Sequence, residues 1–373
     1  MKKTLIGAAI WFAACFSCSS PAAKDYVIEG EIKGFGDGIM FVTSETIDGY
    51  TNDTVFVKND RFTYRSSTEH PIQLMFMPPD NAACNQWRTY GFFMFVENSS
   101  TPIQVRAEVE KRIEHAVITN SRVQSEFEKI KATGLIERVT NYKNQLNQLQ
   151  KANDTVAYQK QQVEFEQLVN KSLDELFALD SAQTSVAAMF TIYQYFPFLS
   201  VDRLENVLQR FSPSIESSVY LEKMQERIRR TRRMAIGNQA PDFKLEDING
   251  KQYTLSDFSG KMVLIDFTAS WCHWCKVEIP FIEQVYEAMK GKDFEIISVY
   301  LDKKREDWVK DVKNSNHPWK CLSDMKAWSK GGMAYDYNTG GIPNLLLLDK
   351  EGRILCHDTR GKETLEMVKK YYK

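Results

Sequence analysis

Two cysteines three residues apart, Cys272 and Cys275, are the residues whose type and spacing most directly indicate chemistry. On a helix, this spacing puts both sulfurs on one face, close enough to form a disulfide without moving the backbone. Thiols placed in this way exchange reversibly with other disulfides, with a thiolate as the attacking species. The pair predicts dithiol–disulfide exchange, although half of a zinc site has the same spacing.

The flanking segments predict the elements that position the pair. Residues 262–267 form a short apolar run typical of a strand, and the apolar periodicity of residues 277–289 predicts a helix. The cysteines then fall in the first turn of that helix, where free N–H groups and the helix dipole stabilise a thiolate. We predict that Cys272, at the exposed helix start, attacks a client disulfide and that Cys275 resolves the mixed disulfide.

Five features between residues 236 and 373 have an order and spacing that a known family shares. They are a strand and hairpin at 237–243 and 250–255, the lead into the central strand at 255–267, the helix from Trp271 with Glu278 and Pro280, the loop Gly341-Ile342-Pro343 before 344–349, and the turn at 351–354. They resemble the thioredoxin family, specifically its envelope branch of TlpA- and ResA-type thiol–disulfide oxidoreductases. The resemblance implies a thioredoxin-like α/β domain over residues 236–373, with a mixed central sheet and flanking helices.

The resemblance also implies roles for residues near the pair. It places a buried acid, Asp266, beneath the disulfide, and because desolvation raises the pKa of a carboxylate, Asp266 is predicted to accept the proton of Cys275. It makes Glu278 an acid that tunes the cysteines, with a solvated helix residue as the alternative. It predicts a cis peptide bond before Pro343, which directs the backbone of Ile342 toward the sulfurs as an edge for an extended client.

The dipeptide between the cysteines, His273-Trp274, departs from the family pattern, which commonly has proline before the second cysteine. A protonated His273 favours the Cys272 thiolate and makes the disulfide more oxidising. The alternative is a solvated loop residue with little effect. We predict that His273, Trp274 and Trp271 support client binding. The reaction type follows from the resemblance, whereas the reduction potential stays open.

The rest of the chain of 373 residues has room for one or two further domains. With 48 basic and 49 acidic residues, its formal net charge of −1 gives no support for nucleic-acid binding. Period-two segments between turn signals predict an all-β N-terminal domain, a sandwich or barrel, over residues 24–120. This domain resembles the small β-domain that often precedes the thioredoxin module in envelope lipoproteins.

Residues 121–235 shift to a helical period, which predicts a helical region or linker. Helix starts are predicted at Ser200 and Ser212, and a break between two long helices at Asn153. The glutamine-rich helix faces suggest either a solvated surface or a dimer seam. Five arginines lie between residues 227 and 233, and basic side chains interact favourably with the negative end of a helix dipole. We interpret this segment as the end of a helix in a solvated linker, with an anion-binding patch as the alternative.

The first residues predict a targeting segment. Two lysines, an apolar run at 5–16 and small residues around Cys18 have the layout of a signal peptide over residues 1–18. A cysteine next to small residues resembles a lipoprotein signal, and Cys18 is preferred over Cys15 as the lipid anchor because it allows a more usual signal length. An ordinary secretory signal is the alternative. The mature protein is predicted to be a membrane-anchored lipoprotein facing the periplasm of a Gram-negative bacterium.

Three further cysteines, Cys84, Cys321 and Cys356, are predicted to be buried or free thiols, with a disulfide or a second redox relay as alternatives. His357 raises the possibility of a metal site with the cysteine pair, but the spacing fits no zinc pattern, so no metal is predicted. No dinucleotide or flavin motif is present, so the redox-active disulfide is the only redox group predicted.

The sequence thus predicts an enzyme of the cell envelope, a thiol–disulfide oxidoreductase that reduces protein clients and draws electrons from a membrane thiol relay. Two alternatives come from other classes. A thiol peroxidase is suggested by residues 240–243 (APDF), although Ala269 stands three residues before Cys272 where such enzymes have threonine. A metal or copper delivery module would use the same cysteines.

Overall fold

The computed structural model describes residues 25–47, 49–79, 91–111, 113–151, 155–195, 199–213, 215 and 218–372. The predicted signal peptide, both candidate anchors Cys15 and Cys18, and the loop cysteine Cys84 lie outside these residues. The described part of the chain includes no helix that is long and apolar enough to cross a membrane. Two compact units are present: one of the described residues up to Ser44 and Asn52–Lys129, the other of Glu45–Thr51 and the residues from Ile130 onward.

The N-terminal region is built from short strands, as predicted. They are β1 Asp25–Lys33, β2 Gly38–Thr46, β3 Gly49–Val57, β4 Arg61–Ser67, β5 Ile72–Met77, β6 Phe92–Val96, β7 Ile103–Glu108 and β8 Val117–Thr119. They form two four-stranded sheets, ordered β4-β1-β7-β8 and β3-β2-β5-β6. Alternate side chains of both sheets, such as Ile28 and Phe76, share one core, because successive side chains of a strand point to opposite faces. The three-residue strand β8 is too short to show a period in the sequence.

The middle of the chain is helical. The helices are α1 Arg122–Ala132, α2 Leu135–Lys151, α3 Thr155–Phe177, α4 Val186–Tyr195, α5 Val201–Leu208 and α6 Val219–Arg233. Ser200 caps α5 as predicted, with its side chain accepting from the Arg203 N–H. The predicted start at Ser212 is wrong, because α6 begins at Val219 and Ser218 caps it. The predicted break at Asn153 lies outside the described residues, between the last residue of α2 and the first of α3.

The polar surfaces of these helices contact other parts of the same unit. Gln161 Nε2 donates to Gln145 Oε1 at 3.0 Å, which joins α3 to α2 within the chain. Arg232 forms ion pairs with carboxylates of α5, and the Arg230 guanidinium lies 4.1 Å from the centre of the Tyr335 ring. The end of α6 therefore contacts α5 and Tyr335, while the Arg232 side chain stays 52% exposed. The linker role of this region stays a prediction.

The C-terminal region is α/β. Its strands are β9 Lys244–Glu246, β10 Gln252–Thr254, β11 Met262–Thr268, β12 Phe294–Tyr300, β13 Lys320–Leu322, β14 Asn344–Leu348 and β15 Ile354–His357. Its helices are α7 His273–Met289, α8 Arg305–Ser315, α9 Met333–Asp336 and α10 Lys362–Tyr371. The main sheet has the order β13-β12-β11-β14-β15, with β11 parallel to β12 and antiparallel to β14. The predicted thioredoxin-like domain is confirmed.

The central strand β11 decides where the site lies. It is buried on both faces, which is why it appears in the sequence as a continuous apolar run. Met262 and Leu264 pack in one cluster with Ile282 and Val285 of α7, whereas the intervening residues face a second cluster on the other side of the sheet. Because alternate residues share a face, Asp266 points to the side that α7 covers.

Candidate active site

The cysteine pair stands at the beginning of α7, as predicted. Cys272 is the N-cap residue, and its Sγ accepts a hydrogen bond from the Cys275 N–H at 3.1 Å. The two residues form a disulfide, with Cα atoms 5.3 Å apart. Sulfur at an N-cap faces the free N–H groups of the first turn, which is the position that stabilises a thiolate.

The prediction that Cys272 lies at an exposed helix start needs correction. Cys272 is 6% exposed and Cys275 is 3% exposed, so both are buried in the oxidised protein. Ala269 and Ile342 pack with them in a small apolar cluster. Solvent exposure therefore does not distinguish the two cysteines. They differ in position, because the Cys272 sulfur accepts a hydrogen bond from a backbone N–H.

An unpredicted residue, Asp302, holds the loop that leads to the pair. Ser270 donates to its carboxylate twice, from the backbone N–H at 3.0 Å and from Oγ at 2.5 Å. Asp302 is 1% exposed and is the second residue after the end of β12, the parallel neighbour of β11. The sequence contained a usable signal, because the carboxyl ends of adjacent parallel strands meet at one edge of a sheet.

The predicted buried acid is present. Asp266 is 5% exposed, and its Oδ2 accepts a hydrogen bond from Ser298 Oγ at 3.0 Å. Burial raises the pKa of Asp266 to about 7; the Ser298 hydrogen bond opposes this shift, and the nearby charge of Glu278 adds to it. No partner for Asp266 Oδ1 is found among the described residues. A carboxyl group with this pKa can exchange a proton at neutral pH.

Glu278 is not the solvated residue of the alternative interpretation. Its Oε2 accepts a hydrogen bond at 2.8 Å from the backbone N–H of Gly361, the N-cap residue of α10. The next residue back, Arg360, donates to the carbonyl oxygen of Pro343 at 3.0 Å. A short segment before α10 therefore contacts both the active-site helix and the proline loop, which the sequence had not suggested.

The proline loop has the predicted geometry at its peptide bond. The Ile342–Pro343 bond is cis. The Ile342 side chain packs against Ala269 and the two cysteines. The loop thus lies beside the disulfide, and the predicted pairing of the Ile342 backbone with a client stays a prediction.

Two exposed indoles, Trp271 and Trp274, are next to the buried cysteines in the chain. Trp271 is 61% exposed and Trp274 is 69% exposed, and the exposed His273 ring stands edge-on to Trp274 with centroids 5.5 Å apart. A third, unpredicted indole, Trp328, has its centroid 6.2 Å from that of Trp271, and its Nε1 donates to the Thr339 carbonyl at 3.1 Å. We call Trp271, Trp274 and Trp328 the tryptophan surface. Large exposed apolar side chains are typical of interaction sites. A client-binding role for these indoles stays a prediction.

Comparison with known proteins agrees with this geometry. The model of the AhpC/TSA family matches residues 236–356, and that of a domain of unknown function (DUF4369) matches residues 26–127. The thiol-disulfide oxidoreductase ResA of Bacillus thuringiensis subsp. konkukian is 34% identical over 141 residues, which are 38% of this chain and 79% of that protein. The chain belongs to this family of thiol–disulfide oxidoreductases. ResA of Bacillus subtilis is also similar, at 32% identity over 138 residues, 36% of this chain and 73% of that protein.

Two solved structures are also similar to part of the chain. A crystal structure of the thioredoxin domain of a thiol-disulfide oxidoreductase from Bacteroides vulgatus has 34% identity and a TM-score of 0.35, covering 37% of this chain and 99% of that chain. A solution structure of a thiol:disulfide interchange protein from Bacteroides sp. has 32% identity and a TM-score of 0.33, covering 37% of this chain and 90% of that chain.

Two cysteines of the oxidoreductase domain stand apart from the pair. Cys321 and Cys356 are free and buried, on β13 and β15 at opposite edges of the sheet. Four strand spacings separate them by roughly 19 Å, which is beyond the reach of a disulfide. Burial, with a smaller contribution from the charge of Asp266, raises the pKa of Cys321 to about 12. A disulfide between these two cysteines is therefore excluded.

The metal interpretation of His357 finds no support in the oxidoreductase fold. The His357 Nε2 makes a hydrogen bond with the Met234 carbonyl at 2.6 Å. Across the part of the chain that the structure describes, no group of three or more histidine, cysteine, aspartate or glutamate residues could hold a metal ion.

Proposed function

We propose that this oxidoreductase reduces disulfides of protein clients in the cell envelope. The observation that carries the proposal is the Cys272 sulfur at the N-cap of α7, on the helix that covers the buried Asp266. In the reduced protein the same N–H group would stabilise a Cys272 thiolate, and Asp266 would be the proton acceptor for the second thiol.

The reaction has two exchange steps. The Cys272 thiolate attacks one sulfur of the client disulfide, the client S–S bond breaks, and one client thiolate leaves as a mixed disulfide forms. Cys275 then transfers its proton to Asp266 and attacks Cys272 Sγ, and the second client thiolate leaves. The client gains two electrons, and the protein ends as the disulfide seen in the structure.

The remaining site residues are proposed either to adjust proton transfer or to bind the client. Glu278 carries a charge that raises the pKa of Asp266, so it acts on proton transfer rather than on sulfur directly. The tryptophan surface and the Ile342–Pro343 loop border the disulfide and present apolar area and a backbone edge to an extended client. His273, exposed beside Trp274, is proposed to take part in the same contact.

The location and the electron source rest on the sequence. Residues 1–18 are proposed to be a lipoprotein signal, with Cys18 or Cys15 as the lipid anchor. A membrane thiol relay is proposed as the electron donor that restores the dithiol. The domains proposed from the sequence are 24–120, 121–235 and 236–373. In the envelope, unfolded proteins acquire disulfides, so clients for a reductant are available there.

The test is the reduction potential of the full chain, measured by equilibration with dithiol and glutathione buffers. A value near or below about −250 mV supports the reductant, and a value near about −120 mV indicates an oxidant. Cys272→Ser should abolish reduction of a client disulfide, whereas Cys356→Ala, which alters a thiol outside the pair, should retain it. Absence of a two-electron Cys272–Cys275 couple overturns the proposal. Cys272-dependent turnover of peroxide would favour a peroxidase. Stoichiometric metal retained after purification would favour a metal delivery module.

A further inference from the structure

Asp266 belongs to a row of polar side chains that crosses three strands. It pairs in register with Ser298 of β12, and Ser298 pairs in register with Cys321 of β13. Residues directly paired in a sheet point to the same face, so all three lie under the helices that cover this side. Trp319, two residues before Cys321, reaches the same row.

The hydrogen bonds in this row have a fixed direction. Trp319 Nε1 lies 2.9 Å from Ser298 Oγ, and Ser298 Oγ lies 3.0 Å from Asp266 Oδ2. An indole N–H can only donate, so Ser298 must accept from Trp319. Its single hydroxyl proton is then directed to Asp266. The Trp319 ring is itself held, stacked on His317 with centroids 4.6 Å apart and planes 8° apart.

We propose that Ser298, with its hydroxyl oriented by Trp319, is a positioning residue for thiol–disulfide exchange. It occupies Asp266 Oδ2 as a donor and leaves Oδ1 as the atom that takes the proton of Cys275. The S–H electron pair stays on sulfur, which becomes the nucleophile, and the carboxylate becomes a carboxylic acid. The inference rests on the proposed role of Asp266 as proton acceptor.

Burial supports this assignment of the two oxygens. Ser298 is 3% exposed and Trp319 is 7% exposed, so water does not compete for the hydroxyl. A hydroxyl that donates to a carboxylate favours its charged form, and the Ser298 bond opposes the rise that burial produces in the pKa of Asp266. Ser298 thus keeps the affinity of Asp266 for a proton near neutrality, where a proton is both taken up and returned.

The other groups that face Asp266 do not provide this function. Glu278 of α7 carries a negative charge that works in the opposite direction. Burial raises the pKa values of Tyr300 on β12 and Cys321 on β13, so both side chains are neutral at pH 7. Asp311 of α8 accepts from Tyr300 Oη at 3.2 Å. Within the described residues, Ser298 is the group that donates to the Asp266 carboxylate.

The test uses Ser298→Ala in the full chain, with two measurements. One is the pH dependence of the rate at which Cys275 resolves a mixed disulfide on Cys272. The other is the titration of the Asp266 carboxyl carbon by ¹³C NMR. Loss of a hydrogen bond to a charged group should move both midpoints upward by about one pH unit or more. Ser298→Thr, which keeps the hydroxyl, should retain the original midpoint and shows whether the site still folds.

Two further variants separate this inference from the proposed function. Trp319→Phe should shift the midpoint upward by less than Ser298→Ala, and should add nothing in the Ser298→Ala background. Asp266→Asn should remove the pH dependence that the Asp266 carboxyl group produces. In that background, Ser298→Ala should cause no further change in the rate of mixed-disulfide resolution. If Asp266→Asn removes the pH dependence but Ser298→Ala leaves both midpoints unchanged, the inference about Ser298 is overturned while the role of Asp266 stands. If Asp266→Asn leaves the rate profile unchanged, the role of Asp266 fails, and Ser298 has no part in proton transfer.

Discussion

Glu278 Oε2 lies 2.8 Å from the backbone nitrogen of Gly361, so an acid on the active-site helix binds the residue at which α10 begins. Its charge also raises the pKa of Asp266. One carboxylate thus has two separable functions, a hydrogen bond that joins α7 to α10 and an electrostatic effect on the buried acid. An amide in its place keeps an acceptor for the hydrogen bond but removes the charge.

Glu278→Gln is expected to lower the pKa of Asp266 below about 7 with little change in stability. The neutral amide no longer disfavours a charged Asp266, and it still accepts from Gly361. The pH midpoint of mixed-disulfide resolution measures the effect. Glu283→Gln, which neutralises an exposed residue of the same helix, is the matched control. An unchanged midpoint in Glu278→Gln would show that its charge does not reach Asp266.

Asp266 should make the protein less stable as the pH rises. Its pKa is raised from 3.8 to about 7 in the folded protein, mainly because burial disfavours the charged form. Between these values the folded state binds a proton that the unfolded state has lost, so its contribution is fully present below pH 3.8 and is lost as the pH rises through about 7. The loss amounts to up to about 4 kcal/mol.

Asp266→Asn removes this titration while keeping an acceptor for Ser298. The free energy of unfolding of Asp266→Asn, minus that of the unsubstituted protein, should be higher at pH 8 than at pH 4 by roughly 2–4 kcal/mol. Urea unfolding at the two pH values measures the difference. The same difference in stability at both pH values would mean that the Asp266 pKa is close to that of an unfolded chain.

Asp302→Ala should loosen the loop before Cys272. It removes the acceptor for both the N–H and the Oγ of Ser270 and leaves a partly buried N–H unpaired, a cost of up to about 1–3 kcal/mol. Ser270→Ala removes only the hydroxyl bond and should cost less. Urea unfolding together with the rate of attack by Cys272 checks the order of the two variants. If Ser270→Ala costs as much as Asp302→Ala, the backbone bond does not contribute.

The tryptophan surface should bind clients without setting the potential. Trp274→Ala and Trp328→Ala should each raise KM for a protein disulfide by roughly 5- to 30-fold, because each removes apolar contact area of order 1–2 kcal/mol. The reduction potential should stay the same, since the N–H group that donates to Cys272 Sγ belongs to the Cys275 backbone and is kept in both variants. Phe56→Ala, an exposed aromatic of the N-terminal region, is the control.

Steady-state kinetics with a protein disulfide and with a small-molecule disulfide separates docking from chemistry. Only the protein substrate should show the raised KM. An equal loss with both substrates would indicate that the indoles support the cysteine loop rather than the client.

The sequence by itself determined the elements and the reacting pair. The strand before Thr268 and the helix start at the cysteine pair were predicted from neighbouring residues, because periodicity and helix-start signals are local. The cis bond before Pro343 was predicted from the family resemblance of its loop. The same local signals misplaced the start of α6, since both Ser212 and Ser218 can cap a helix and only packing selects one.

Tertiary structure alone decided which side chains meet. Ser270 with Asp302 and Asp266 with Ser298 are each separated by 32 residues, and Trp271 meets Trp328 from another loop. These contacts depend on the order and register of β11 and β12 and on the loop that follows β13, which no single segment encodes. Burial of Asp266, and with it the shift in its pKa, likewise arises only when the sheet and α7 close over it.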